Sequence, residues 1–247
     1  MKLNKINVLG LTVHKIDTQA ACSYIDYLLN NGDKHSYVMA QNAEKIMMCL
    51  QNKQMRSIME NANLIIPDGV GVSLATKILY RYPTDRVPGF DLFIEVLKLA
   101  QKKKYTIYLL GGREEIEKNA ISILRKMYRD LRIAGYHNGY FDDDKPIIDE
   151  INSFKPDMVF VALGLPKQEK WIYANRNKLN VKLLMGVGGS FDVIAGTAKL
   201  APAFWRNNGF EFVYRLLVDP KRFRRQIVFP KFLLLILLTR VKLRSVL

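Results

Sequence analysis

Short apolar runs alternate with longer amphipathic stretches along this chain. Residues 36–40, 64–66, 105–110, 132–136, 157–163 and 182–187 are short and mostly apolar, which predicts strands. Between them, residues 43–59, 69–81, 90–103, 114–129 and 166–179 have the length and periodicity of helices. In 114–129, for example, Ile116, Ala120, Ile123, Leu124 and Met127 fall at helical spacing and would form one apolar face. Strand–helix alternation predicts an α/β fold: a Rossmann-like, mostly parallel sheet with helices on both faces. Ligands in such sheets bind beyond the carboxyl ends of the strands, where loops and helix N-termini converge. Residues just after each predicted strand are therefore the first candidates for function.

The pattern changes near residue 199. The 247 residues carry 38 Lys and Arg against 23 Asp and Glu, a formal net charge of +15. From Lys199 onward eleven basic residues face only Glu211 and Asp219, so the last fifth of the chain holds +9 of that charge. Pro202, Pro220 and Pro230 punctuate a helical pattern there. This divides the chain into an α/β core, 1–198, and a basic amphipathic helical appendage, 199–247. The charge implies an anionic partner: a phosphorylated substrate, an acidic membrane or nucleic acid. A basic nucleic-acid-binding protein is the rival reading from another class. No nucleic-acid motif supports it, and the interleaving of basic residues with Phe223, Phe229 and Phe232 fits a bilayer interface better. The longest apolar run, 232–238, is far short of the ~20 residues that span a bilayer. The first residues lack the apolar core of a signal peptide. A soluble-side protein that does not cross the membrane is expected.

Four segments at strand ends carry candidate chemistry. In Ile65-Ile66-Pro67-Asp68-Gly69 a strand ends in a carboxylate at a turn. That aims Asp68 into the crevice as a base, while Asp is equally a favoured helix N-cap. The two roles are compatible. Gly111-Gly112 permits close approach of a phosphate at the next helix N-terminus. The full dinucleotide fingerprint is missing, and Glu114 and Glu115 would repel an anion, so a plain turn stands at least level. In Gly164-Leu165-Pro166-Lys167-Gln168-Glu169-Lys170-Trp171, Pro starts a helix with Gln168 and Glu169 in its first turn. Several polar groups at the end of an interior strand suit recognition of a uracil or a sugar, against ordinary helix-start chemistry. In Gly186-Val187-Gly188-Gly189-Ser190 the small residues admit a ligand or packed backbone alike.

Metal chemistry finds little footing. Cys22 and Cys49 are not a close pair, and His14, His35 and His137 are scattered. Asp142, Asp143 and Asp144, between Gly139 and Pro146, read as a solvated loop rather than as metal ligands. No metal site and no cofactor are expected.

Taken together, these segments resemble the WecG/TagA/CpsF family, glycosyltransferase family 26. The matching stretches are Asn42-Ala43-Glu44-Lys45-Ile46, Pro67-Asp68-Gly69, Arg86-Val87-Pro88-Gly89-Phe90-Asp91, Gly164-Leu165-Pro166-Lys167-Gln168-Glu169, Gly186-Val187-Gly188 and Phe212-Val213-Tyr214-Arg215-Leu216. The resemblance implies an inverting, metal-independent hexosyltransferase. It would move N-acetylmannosamine, its uronic acid or a related sugar from a UDP-sugar to a polyprenyl-diphosphate-linked N-acetylglucosamine. The setting would be cell-surface polysaccharide or teichoic acid biosynthesis, at the cytoplasmic, inner face of the membrane. It also implies that Asp68 is the catalytic base and that Asn42, Arg86 and Gln168 belong to the substrate pocket. Basic residues of the appendage, with Arg215, Arg222 and Arg225 as candidates, would close over the donor diphosphate. Where the family often has Thr two residues before the matched Asn, this chain has Ala40. That substrate contact is missing or is replaced by Gln41. A homo-oligomer is compatible with the sequence.

Overall fold

A computed structural model describes residues 3–31, 35–207, 209–218 and 227–245. All six expected strands form: β3 (Ser36–Gln41), β4 (Leu64–Pro67), β5 (Thr106–Gly111), β6 (Arg132–His137), β7 (Met158–Ala162) and β8 (Leu183–Gly186). They make one fully parallel sheet in the order β4-β3-β8-β7-β5-β6. Alternation along the strands supplies two cores. Tyr37, Met39, Ile65, Tyr108, Leu110, Val159, Val161 and Leu184 face one way; Val38, Leu64, Ile66, Ile107, Leu109, Met158, Phe160 and Met185 face the other. A strand buried on both faces has no polar side to show, so these runs read as continuously apolar.

Helices cover each face. On the first lie α2 (Ala43–Gln51), α3 (Lys53–Glu60), α4 (Val70–Tyr80), α7 (Asp144–Phe154), α8 (Lys167–Asn175) and α12 (Val228–Ser245). On the second lie α1 (Thr18–Asn31), α5 (Gly89–Lys103), α6 (Glu114–Met127) and the short α9 (Ser190–Ile194). Two small helices, α10 (Ala203–Asn207) and α11 (Glu211–Val218), lead toward α12.

Four departures from the sequence reading have local causes. The predicted helix 43–59 is two helices, because Asn52 turns extended and its Oδ1 accepts the Met55 N–H at 3.0 Å as the N-cap of α3. An unforeseen hairpin, β1 (Lys5–Val8) and β2 (Leu11–His14), packs beside the edge strand β4. His14 Nδ1 accepts the Ile65 N–H at 2.9 Å, covering a ladder donor that an edge strand would otherwise expose. Burial, with the nearby Lys5 charge, pushes the His14 pKa down to about 4, so the ring is neutral and free to accept that bond. The helix α1 was also unforeseen; Ala21, Ile25, Leu28 and Leu29 bury its inner side. Finally, the aspartate run is only partly a solvated loop. Asp143 caps α7, and Asp144 accepts from Trp171 Nε1 at 2.8 Å and from Asn175 Nδ2 at 2.9 Å.

The chain leaves β5 toward β6 and leaves β7 toward β8 in the opposite direction. That reversal opens the sheet's crevice at the carboxyl ends of its central strands.

Candidate active site

Asn42 and Asp68 leave neighbouring strands at one level. Gln41 pairs with Pro67 across β3 and β4, and the Asp68 N–H donates to the Gln41 carbonyl at 2.8 Å. The Asn42 Oδ1 accepts the Lys45 N–H at 2.9 Å, capping α2. The N-cap of α4 is Gly69, at φ +78, one residue beyond Asp68. Asp68 itself is half-buried at the strand end.

Arg86 returns to the same place from the far side of α4. The Val87 N–H donates to the Pro67 carbonyl at 2.8 Å, laying Arg86 beside the Asp68 turn. The appendage grips its guanidinium. Nη1 donates to the Arg206 carbonyl at 2.6 Å, and Nη2 pairs with the Glu211 carboxylate. Arg206 in turn donates from Nη2 to both oxygens of Asp91, at 2.5 and 2.7 Å. Gly209 sits so close to Val70 that a Cβ there would stand 2.9 Å from Val70 Cγ2. The start of the appendage therefore lies against the turn that carries Asp68.

The glycine turns differ in what approaches them. At Gly111, φ +125, an added Cβ would collide with the Ala162 carbonyl, so the close neighbour is the adjacent strand. Gly112 donates to Ala162 O at 3.2 Å and accepts from Gly139 N at 2.8 Å. Both of its backbone groups are thus used within the protein. Gly164 and Gly188, at φ +75 and +54, instead have open space where a Cβ would project. They follow the adjacent strands β7 and β8.

Gln168 and Glu169 sit behind those turns and are buried, at 3 % and 0 % exposure. Gln168 Oε1 accepts the Gly188 N–H at 2.8 Å, and its Nε2 donates to Glu169 Oε1 at 3.2 Å. Glu169 Oε1 also receives Lys45 Nζ at 2.7 Å. Gln41 is likewise buried, and neither of its carboxamide atoms has a partner among the described residues. Strand alternation puts Gln41 on the face of Tyr37 and Met39, while Ala40 faces Gly89 on the other. Gln41 therefore does not stand where a side chain at position 40 would.

Asn42, Asp68, Arg86, Gly164, Gln168 and Glu169 thus share the carboxyl edge of β3, β4, β7 and β8, while Gly111 and Gly112 lie further along it at β5. Arg215 lies on α11, with its side chain outside the described part; Arg222 and Arg225 lie outside the described residues. Sequence reasoning gave no separate role to Lys45, Arg206 or Glu211. A lysine at a position of α2 flanked by buried Ile46, Met47 and Cys49 was the available signal for the first. The partners of the other two are more than a hundred residues away, and no spacing rule reaches that far.

The fold is thus a parallel α/β sheet with polar groups converging on one carboxyl edge, the position at which sheets of this class bind ligands. The chain belongs to the Glycosyl transferase WecG/TagA/CpsF family, whose model matches residues 6–246. It is 33 % identical over 237 residues to a protein of Bacillus spizizenii (strain ATCC 23059 / NRRL B-14472 / W23), covering 96 % of this chain and 91 % of that one. It is 34 % identical over 235 residues to one of Bacillus subtilis (strain 168), covering 92 % and 90 %. A third, from Staphylococcus aureus (strain MRSA252), is 32 % identical over 243 residues, covering 98 % and 95 %. Each is named N-acetylglucosaminyldiphosphoundecaprenol N-acetyl-beta-D-mannosaminyltransferase. The protein is a glycosyltransferase, and the rival reading of a nucleic-acid-binding module finds no support. Among the described residues no helix is long and apolar enough to cross a membrane.

Proposed function

We propose that this protein transfers N-acetylmannosamine from a UDP-sugar to N-acetylglucosamine carried on a polyprenyl diphosphate, at the inner face of the cell membrane. The observation that carries this is full-length similarity to transferases of that name, with more than nine-tenths of this chain aligned in each of the three. Asp68 acts as general base, taking the proton from the acceptor hydroxyl as that oxygen attacks the anomeric carbon. A single displacement inverts that centre. The leaving diphosphate gathers negative charge, which fixed cations must meet. Arg215, Arg222 and Arg225 of the appendage are the candidates, since the guanidinium of Arg86, beside Asp68, is already paired with Glu211. Planar guanidinium forks suit paired phosphate oxygens. Transfer without a metal ion is part of the reading through the family resemblance, and Asp144 of the aspartate run is engaged instead by Trp171 and Asn175.

Membrane attachment belongs to the appendage. Phe232 and Ile236 of α12 are buried against the core, whereas Leu234, Leu237, Leu238 and Val241 are 47–64 % exposed on the opposite side. An apolar stripe flanked by Lys231 and Lys242 can lie in the headgroup region while the basic residues meet anionic lipid.

The test is a donor panel. The protein is incubated with UDP-N-acetylmannosamine, its uronic acid analogue, UDP-N-acetylglucosamine and UDP-glucose, each with a short-chain lipid-diphosphate-N-acetylglucosamine acceptor. UDP-N-acetylmannosamine should give the product fastest. Fastest transfer from another donor would refute the sugar assignment, and no transfer from any would refute the reaction.

A further inference from the structure

The turns after β3, β7 and β8 are linked by hydrogen bonds that meet at Lys45, whose backbone bonds one side and whose side chain, in an ion pair inside the protein, bonds the other. On the first side Asn42 Oδ1 accepts the Lys45 N–H at 2.9 Å. On the other, Lys45 Nζ meets Glu169 Oε1 at 2.7 Å, with side-chain exposures of 9 % and 0 %. The same oxygen accepts from Gln168 Nε2 at 3.2 Å, and Gln168 Oε1 accepts the Gly188 N–H at 2.8 Å. Gly186 completes the fit, since a Cβ there would collide with the Gln168 carboxamide.

We propose that Lys45 and Glu169 are positioning residues for transfer: the pair fixes which way the Gln168 carboxamide points and thereby sets the Gly188 turn against Asn42. A carboxamide is nearly symmetric in shape but not in chemistry. With a carboxylate on one side and an N–H on the other, only one orientation satisfies both. The flipped amide would set Oε1 against the carboxylate and Nε2 against the Gly188 N–H. Lys45 balances the carboxylate that imposes this choice, and its own backbone is what Asn42 caps. Stability alone does not require such a pair, because buried ion pairs are commonly replaced by apolar residues without loss. Its distinct contribution is orientation, at turns that open on the crevice at Gly164 and Gly188.

This inference rests on reading that crevice as the transfer site. The experiment uses the full chain and measures Tm, UDP affinity, and kcat and KM for transfer. Lys45→Met and Glu169→Gln, made singly, should lower both Tm and transfer, since each leaves a buried partner unmatched. The double variant Lys45→Met/Glu169→Met should recover the wild-type Tm yet stay about tenfold or more down in kcat/KM, as expected of misplaced groups. Gln168→Met leaves the pair whole and cuts its link to Gly188. It should show the same loss in kcat/KM with a smaller drop in Tm than either single charge variant, because it leaves the Gly188 N–H without its acceptor but strands no charge, and adding it to the double variant should cost no further transfer. Lys45→Arg, which keeps the charge, should transfer within about threefold of wild type. A double variant restored in both Tm and transfer would overturn the proposal. So would a fully active Gln168→Met, which decides the matter even if the double variant fails to fold. Wild-type protein inactive with every donor defeats the functional reading instead, so the two failures are distinguishable.

Discussion

Glu117 is a carboxylic acid with 2 % of its surface exposed, on α6, and its Oε1 has no partner among the described residues. Burial, reinforced by the charges of Glu114 and Glu150, pushes its pKa up to about 8. The consequence for stability has a definite sign. Below about pH 4.5 the acid is protonated in both folded and unfolded chains, and its burial carries no ionisation penalty. As pH rises toward 8 the unfolded chain releases the proton and the folded one holds it, so stability falls across that window. Glu117→Gln keeps the shape without the proton. Its Tm should match wild type near pH 4.5 and exceed it by several degrees at pH 8; an equal Tm at pH 8 would show that the acid is not held neutral. This residue gave no sign in the sequence, because helix periodicity does not distinguish a buried Glu from a solvated one. Asp68 could be placed for the opposite reason: it follows an apolar strand directly, and position in the chain then fixes position at the strand's carboxyl end, whereas Asn42 was singled out only by the family resemblance. The part played by Gln168 was half legible: its place at the start of α8 could be read, but its enclosure behind the Gly188 turn depends on β8, twenty residues on.

At the scale of elements, periodicity located six parallel strands: five are short runs buried on both faces, and the edge strand β6, half-exposed, still reads as a short run between two helical stretches. It did not find the hairpin, whose strands are only four residues each, too short for alternation to stand out from the flanking sequence. Nor did it find α7, which starts inside an aspartate run that looks like a loop until Trp171 and Asn175 are brought to Asp144. The link between appendage and core was equally hidden. Arg86 with Glu211 and Arg206 with Asp91 bring together groups 125 and 115 positions apart. The Arg206–Asp91 pair is about one-third exposed, so it contributes modestly to global stability, on the order of 1 kcal/mol or less. Its effect should be local. Asp91→Asn should speed amide hydrogen exchange in α10 and α11 and leave the strands of the sheet unchanged. Unchanged exchange in both helices would mean that the pair does not hold the appendage down.

Over the whole molecule, charge and apolar surface are unevenly spread. The last fifth of the chain carries +9 of the +15, and its final helix is apolar on two sides. One side, with Phe232 and Ile236, completes the core, so removing the helix would also uncover Val72, Ala75 and Leu79. Replacing only the outward residues separates attachment from folding. Leu234→Ser/Leu238→Ser/Val241→Ser should keep the wild-type Tm and lose about fivefold or more in co-sedimentation with anionic liposomes. Undiminished sedimentation would place the membrane contact elsewhere. The sequence showed that this region is basic and apolar together. It did not show which apolar residues face inward, because that depends on how α12 lies across α4 and α2.

The central claim is that Asp68, where β4 opens into the crevice, supplies the base for metal-independent transfer. The most direct measurement is single-turnover transfer in excess EDTA, from UDP-N-acetylmannosamine to the short-chain lipid-diphosphate-N-acetylglucosamine acceptor, for wild type and Asp68→Asn. UDP affinity is measured alongside. Asn keeps the shape and removes the base. Normal wild-type turnover in EDTA is expected, with a loss of about 10²-fold or more in Asp68→Asn and UDP binding retained. Near-normal turnover in Asp68→Asn, or wild-type activity that disappears in EDTA and returns with Mg²⁺ or Mn²⁺, would contradict the central claim.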